Sequence, residues 1–308
     1  MEKLVSPQTR GHPESTLRWT CKSTYKLQEE LQGQGYQISH CSVGKLLREL
    51  GYSLQAPRKT QEGDSHEDRD AQFDYINNQI AQFQKRGYAT ISVDTKKKEN
   101  IGNYSNKGKE YQPKGNPERV KVYDFIDKKK GKVAPYGVYD MGRNEGFVNV
   151  GISRDTAAFA VHSIRKWWYK MGCFFYESTP ALLITADCGG SNGNRVRLWK
   201  IEIQKLANEL NKKIYICHFP PGTSKWNKIE HRMFCYITEN WRGRPLRSRE
   251  LVVELIRNTT TKPGLIIEAE LDENIYEKGI KISDEQLEQI NLLRQPFHGE
   301  WNYIIKPQ

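Results

Sequence analysis

Asp94 and Asp187 each close a short apolar run of strand character, 89–93 and 181–186, and Glu230 falls in the first turn of a helix that follows a third such run, 213–217. In an open α/β sheet, functional groups gather outside the carboxyl ends of the strands, so three acids from distant parts of the chain can converge there. Oxygen clusters of this kind suit hard divalent cations: Mg²⁺ is commonly held by one or two carboxylates, with water and substrate phosphate oxygens completing its shell. Two ions about 3.5–4 Å apart can activate an attacking oxygen and stabilise a leaving oxygen in phosphodiester chemistry. Taken singly, each acid has a plainer role. A strand-end Asp caps the next turn, and a first-turn Glu favours the helix dipole. The order of the three, their strand context and their basic surroundings point to the joint reading.

The elements that must position these acids follow from apolar periodicity. A helix carrying Phe73, Ile76, Ile80 and Phe83 ends at Lys85-Arg86-Gly87, with a cationic last turn and a glycine stop. Strands are expected at 89–93, 119–125, 133–140 and 146–152, then a helix over 155–172. Next come strand 181–186, a glycine-rich turn at 189–193, helix 194–210, strand 213–217 and helix 226–241. Strand–helix alternation with short connections implies parallel strands, whereas the strands before it are close enough in sequence to be antiparallel. The fold class is therefore α/β with a mixed sheet. The tail adds a helix over 248–260, a strand at 265–271 and a helix over 283–293. Between 95 and 121, Lys96, Lys97, Lys98, Lys107, Lys109, Lys114 and Lys121 stand among glycines, which reads as an exposed basic insertion.

Upstream, residues 23–51 carry two short helical patterns around a glycine-bearing turn, the second with Val43, Leu46, Leu47 and Leu50 on one face and Ser39 as its cap. This is the pattern of a helix-turn-helix or winged-helix DNA-binding domain over 1–55, with His40, Ser42, Lys45 and Arg48 facing outward as a major-groove surface would. A linker rich in Pro, Gly, Ser and mixed charge is expected over 56–70, and a catalytic domain over 71–308. The 308 residues suit about two domains. Lys and Arg number 48 against 37 Asp and Glu, a formal charge of +11 that favours a polyanionic partner. No apolar run approaches the roughly 18 residues of a membrane span and Met1–Ser6 lacks a signal-peptide core, so a cytoplasmic protein without a membrane partner is expected. Cys21, Cys41, Cys173, Cys188, Cys217 and Cys235 form no C-x-x-C pair and read as reduced and packed.

The segments Ser92-Val93-Asp94, Ile184-Thr185-Ala186-Asp187-Cys188-Gly189-Gly190-Ser191-Asn192-Gly193 and His218-Phe219-Pro220-Pro221-Gly222-Thr223-Ser224-Lys225-Trp226-Asn227-Lys228-Ile229-Glu230-His231 resemble the DDE signature of Rhodopirellula-type insertion-sequence transposases. These are similar in turn to the mariner superfamily, where a Pro-rich loop, an Asn and Ile-Glu mark the third acid. The resemblance runs from Arg10 to Pro307 and takes in 17–24 and Asn240-Trp241-Arg242-Gly243-Arg244-Pro245-Leu246. It implies an RNase H-like mixed five-stranded sheet flanked by helices, with Asp94, Asp187 and Glu230 as the catalytic acids and as ligands of Mg²⁺ or Mn²⁺, two ions in all. The implied reaction is cleavage and strand transfer of insertion-sequence ends, in a prokaryotic nucleoid, by a homo-oligomer on double-stranded DNA carrying terminal inverted repeats and target. Lys96, Lys97 and Lys98, with Lys225 and Lys228 beside the third acid, join the helix-turn-helix face as expected DNA contacts.

Two departures stand out. The resemblance implies a further DNA-binding helical region upstream, usual in relatives, which this chain is expected to start too late to include, and Cys188 stands where a small residue, often Gly, is expected beside the second acid. His218 and His231 read as packed or capping side chains, Trp167 and Trp168 as core or interface. The 189–193 turn could cradle a phosphate but matches no nucleotide-binding loop. Two other functions compete: a non-catalytic helix-turn-helix regulator derived from a transposase, and an RNase H-like nuclease that cuts without joining.

Overall fold

The computed structural model describes residues 9–11, 18–20, 23–54 and 66–308. Residues 56–65 of the expected linker, Met1–Ser6, and Leu17, Cys21 and Lys22 lie outside the described residues. The chain divides into two compact units, 1–61 and 62–308.

In the first unit, β1 (Thr9–Gly11) pairs antiparallel with β2 (Arg18–Thr20). Helix α1 (Thr24–Gly33) is capped by the Ser23 hydroxyl, and α2 (His40–Glu49) by that of Ser39, each accepting from a backbone N–H three residues on. Between them Gly35 takes φ +89°, a conformation that favours glycine. Leu27, Leu31 and Val43 form a small core with Ile38, Leu47 and Tyr52 packed on it. The apolar stripe of α2 is narrower than its spacing predicts, since Leu50 is exposed.

The second unit opens with α3 (Arg69–Lys85) and is built on a nine-stranded mixed sheet. Its centre is β3 (Ala89–Thr95), which pairs antiparallel with β5 (Lys132–Asp140) and parallel with β7 (Ala181–Ala186). The two-residue β4 (Glu99–Asn100) pairs with β5, and β6 (Glu145–Gly151) continues the antiparallel run. Helix α4 (Ala157–Trp167) then leads to β7, and α5 (Arg197–Leu210) connects β7 to the parallel β8 (Lys213–His218). The five expected strands thus lie in the spatial order β6-β5-β3-β7-β8, the order of an RNase H-like sheet. Four further strands extend it: β4, β9 (Ile266–Asp272) parallel to β6, and the hairpin of β10 (Leu292–Arg294) and β11 (Asn302–Ile305) against β8.

Alternation along the strands sorts the two faces. Ile91, Val93, Leu182 and Ile184 pack against α4 and α5. The opposite face takes α3, through Ile76 and Phe83 on Leu183, and the segment carrying Ile229, Met233, Phe234 and Ile237. Asp94 shares the parity of Ser92 on this second face, and Asp187 that of Leu183.

Three local expectations are corrected. Residues 119–125 form no strand: the neighbouring edges of β5 are taken by β3, β4 and β6, and Val122, Tyr123 and Phe125 stay exposed. The basic insertion is not exposed throughout, because Ile101 and Tyr104 are buried. The helix expected over 283–293 stops at Glu288 after a capping box at Ser283, and the chain turns to pair as β10.

Candidate active site

Ser92 on β3 pairs in register with Thr185 on β7, so Asp94 and Asp187, each two residues further on, leave neighbouring parallel strands side by side. The Thr95 N–H donates to Asp94 Oδ1 at 2.7 Å and fixes that carboxylate at the strand end. Glu230 arrives from the layer above. A 3₁₀ turn over Ser224–Trp226 and a wide π-helical turn over Glu230–Phe234 precede α6 (Cys235–Asn240), where one regular helix was expected. Such π turns occur often at functional sites. What lets this segment approach the sheet is Gly137, the β5 residue opposite Asp94. A Cβ there would stand 2.5 Å from Phe234 and 2.8 Å from Ile229.

Electrostatics joins the three acids. Burial pushes the Asp94 carboxyl well above the ordinary range, Asp187 pushes it further, and Glu230 and Asp155 add to this against the lowering effect of the Thr95 N–H. Asp187 is raised by burial and by Glu230, and lowered by a hydrogen bond from Asn227. Burial also raises Glu230, while Lys96 and His231 lower it. The ligand oxygens of the three do not all lie within 4.8 Å of one another. Asp94 and Asp187 line a cleft of about 680 Å³ together with Asp155, Arg195 and the loop of Gly189, Gly190 and Asn192. Asp155, read from sequence only as a helix start, accepts from Thr95 Oγ1 at 3.2 Å and lies 3.9 Å from Lys98 Nζ.

Asn227 is the residue sequence reasoning undervalued. Fully buried, it donates through Nδ2 to Asp187 Oδ1 at 3.1 Å and to the Val93 carbonyl at 3.2 Å. Its Oδ1 accepts from the Ser92 hydroxyl, whose oxygen accepts from the Ile229 N–H at 3.1 Å. Its place in the motif was the available signal. His218 is also fully buried: Nδ1 donates to the Asp187 carbonyl at 3.0 Å, and Nε2 accepts from the Tyr303 hydroxyl, itself an acceptor from Trp199 Nε1. Burial holds the imidazole neutral, pulled down to about 4. His218 is thus a packed histidine, while His231 bonds the Lys225 carbonyl.

The other sequence-derived residues fall in several places. Lys96 corrects its reading as an exposed phosphate contact: it is 7% exposed, donates to Thr238 Oγ1 at 2.8 Å and lies 4.8 Å from the Trp241 ring centre. The apolar and aromatic wall draws the aliphatic stem in and leaves the ammonium a hydroxyl and a ring face. Lys97, Lys98, Lys225 and Lys228 are exposed. Lys96, Lys97 and Lys98 line both the acidic cleft and a neighbouring groove of about 960 Å³ that also holds Lys107, Lys132 and Arg242. On α2, Lys45 and Arg48 are exposed, with Arg48 Nε donating to the Gly44 carbonyl. His40 stacks on Tyr25, and the Ser42 hydroxyl pairs with that of Ser39. Cys188 lines the cleft half-buried, and burial pushes its thiol up to about 12. Among the described residues every cysteine is a free thiol.

The fold and these acids define a carboxylate site at the strand ends of an RNase H-like sheet. The chain belongs to the family described as the Rhodopirellula transposase DDE domain, whose family model matches residues 1–307. No curated protein matches it in sequence. Among solved structures it is similar to a Mos1 transposase paired-end complex with left transposon end, at 14% identity and a TM-score of 0.44, over 76% of this chain and 65% of that one. A pre-cleavage Mos1 transpososome matches at 12% identity and 0.43, over 80% and 72%. A Mos1 mariner paired-end complex with Mn matches at 12% and 0.43, over 76% and 65%. The chain therefore spans less than two thirds of the length of the first of these. Among the described residues, no helix is long and apolar enough to cross a membrane.

Proposed function

We propose that this protein is a DNA transposase that cleaves insertion-sequence ends and joins them to target DNA, with Asp94, Asp187 and Glu230 as its catalytic acids. The observation that carries the reading is the pair of half-buried carboxylates on neighbouring strand ends, Asp94 raised by burial and the field of Asp187, and Asp187 by burial and the field of Glu230. Lys98 is drawn to Asp155 and Lys96 to Thr238, so neither is bonded to Asp94 or Asp187. An all-oxygen donor set with excess negative charge fits Mg²⁺ or Mn²⁺. Held by these three acids, two such ions would activate the attacking oxygen and neutralise charge at phosphorus.

The chain's own residues supply placement. Asp94 and Asp187 are held by backbone and amide hydrogen bonds, which keeps their oxygens aimed at the cleft. The groove of lysines continuing from that cleft suits a phosphate backbone, with Lys97, Lys98, Lys225 and Lys228 as exposed contacts. Water and then a DNA 3′-hydroxyl serve as successive nucleophiles. Residues 1–55 act as a helix-turn-helix that presents His40, Ser42, Lys45 and Arg48 to the inverted repeats, and 71–308 act as the catalytic domain of a homo-oligomer on DNA. The test is incubation of a labelled oligonucleotide copying the repeats that flank the gene with a plasmid and Mg²⁺. Metal-dependent covalent joining is expected. Nicking without joining would leave a nuclease, and binding alone a regulator.

A further inference from the structure

We infer that Asn227 and Ser92 are positioning residues that lock the three acid-bearing segments together, a role that rests on the acids being the site just proposed. Ser92 lies on β3, two residues before Asp94. Asn227 lies between the Pro-rich loop and Glu230, and its side chain reaches Asp187. Four hydrogen bonds run through this pair, and each polar atom has a single consistent role. Both Nδ2 hydrogens of Asn227 go to oxygens that only accept, Asp187 Oδ1 and the Val93 carbonyl. The amide orientation is thereby fixed, and Oδ1 is left to accept from Ser92. With its hydrogen given to Asn227, Ser92 Oγ accepts from the Ile229 N–H, the residue before Glu230.

Both side chains are fully buried, so water cannot take the place of the bonds to Ser92, Val93 and Ile229, and only the bond to Asp187 reaches the cleft. A buried amide or hydroxyl left without partners is costly, and a fully satisfied network specifies one arrangement. An apolar pair of similar volume would pack at this place. It would give neither a donor to Asp187 nor a stop for the Ile229 N–H. Asp187 could then swing within the cleft, and the π-helical turn would lose its polar anchor to β3. Outer hydrogen bonds of this kind commonly tune a metal-holding group by about 10–100-fold in affinity.

The experiment uses the full chain without DNA and two readouts. Mn²⁺ binding is followed by the electron paramagnetic resonance of the free ion, with Asp94→Asn defining the share that depends on the acids. Amide hydrogen exchange is followed at Ile229 and Glu230. In Asn227→Ala, acid-dependent Mn²⁺ binding is expected to weaken at least tenfold, with exchange at Ile229 about tenfold faster, while α4 and α5 keep wild-type exchange. Ser92→Ala should speed exchange at Ile229 as much and weaken Mn²⁺ binding less, since Asn227 still reaches Asp187. The double variant should fall short of the summed effects. Unchanged exchange at Ile229 and unchanged Mn²⁺ affinity in Asn227→Ala would overturn the role. Wild-type protein with no acid-dependent Mn²⁺ binding would instead overturn the metal reading of the acids, and the exchange measurement would still decide the role of the pair. Should Asn227→Ala misfold, Ser92→Ala carries the same exchange test.

Discussion

Replacing Asp94 by Asn should stabilise the metal-free protein. In the folded chain, burial and the adjacent Asp187 raise the proton affinity of the Asp94 carboxyl above that of the unfolded chain. A raised carboxyl contributes favourably below the ordinary range, near about pH 4, and that contribution is lost as pH rises through the raised value. At about pH 8 wild type therefore carries a penalty that an amide of the same size escapes, because the Asn oxygen can still accept from the Thr95 N–H. Each step of one pH in the titration is worth about 1.4 kcal/mol, and a conservative reading of the enclosure gives about 2 kcal/mol. At roughly 2–4 °C per kcal/mol for a unit of this size, Asp94→Asn should melt about 4–8 °C above wild type in EDTA. The gap should close toward about pH 4, where both side chains are neutral, and Mg²⁺ should raise wild type but not the variant. Thermal unfolding by circular dichroism across this range measures it. A variant less stable than wild type at high pH, or a gap independent of pH, would refute the reasoning.

The remaining expectations concern activity. Asp94→Asn, Asp187→Asn and Glu230→Gln should each abolish strand transfer while duplex binding in a gel-shift assay stays within about twofold, since each removes one anionic oxygen and keeps size. Lys97→Ala with Lys98→Ala should flatten the salt dependence of duplex binding, each lost phosphate contact removing about 0.9 from the log–log slope; an unchanged slope returns these lysines to a solvated surface. Gly137→Ala should reduce strand transfer at least about tenfold and lower stability by about 1–3 kcal/mol, because its methyl collides with the side chains on either side of Glu230. Wild-type activity in that variant would show that the segment has room to retreat.

Much of the site was legible because its acids sit where local patterns change. Asp94 and Asp187 end short runs of mostly apolar and β-branched residues, so the strands and their charged ends could be read without partners. Their adjacency is a property of register between β3 and β7; strand-end placement anticipated that the acids could converge, and the resemblance named them as one set. Lys96 was misread because a basic run looks solvated in sequence. Only the folded chain brings Trp241 and Thr238, more than a hundred residues away, against its stem. The same distance hid the Ser92–Asn227 bond. At 119–125 the alternation of Val and aromatic residues mimics a strand, but a strand needs a free edge, and β5 has none there. The C-terminal hairpin failed the opposite way. Leu292 and Leu293 fit a helical pattern until β8 offers an edge that β11, and through it β10, can join.

The most direct test of a single acid site is anomalous diffraction from crystals soaked in Mn²⁺. Bound ion is expected in the cleft against Asp94 and Asp187, with Glu230 turned toward it, and the peak should vanish in Asp187→Asn. Among the described residues one other cluster could compete: His66, Asp68 and His298, whose ligand atoms lie within 4.8 Å of one another. There the His298 imidazole bonds Asp68 at 3.0 Å and Glu300 at 2.7 Å. Manganese confined to that cluster, or a peak in the cleft indifferent to the loss of Asp187, would contradict the assignment of Asp94, Asp187 and Glu230 as one metal-holding site.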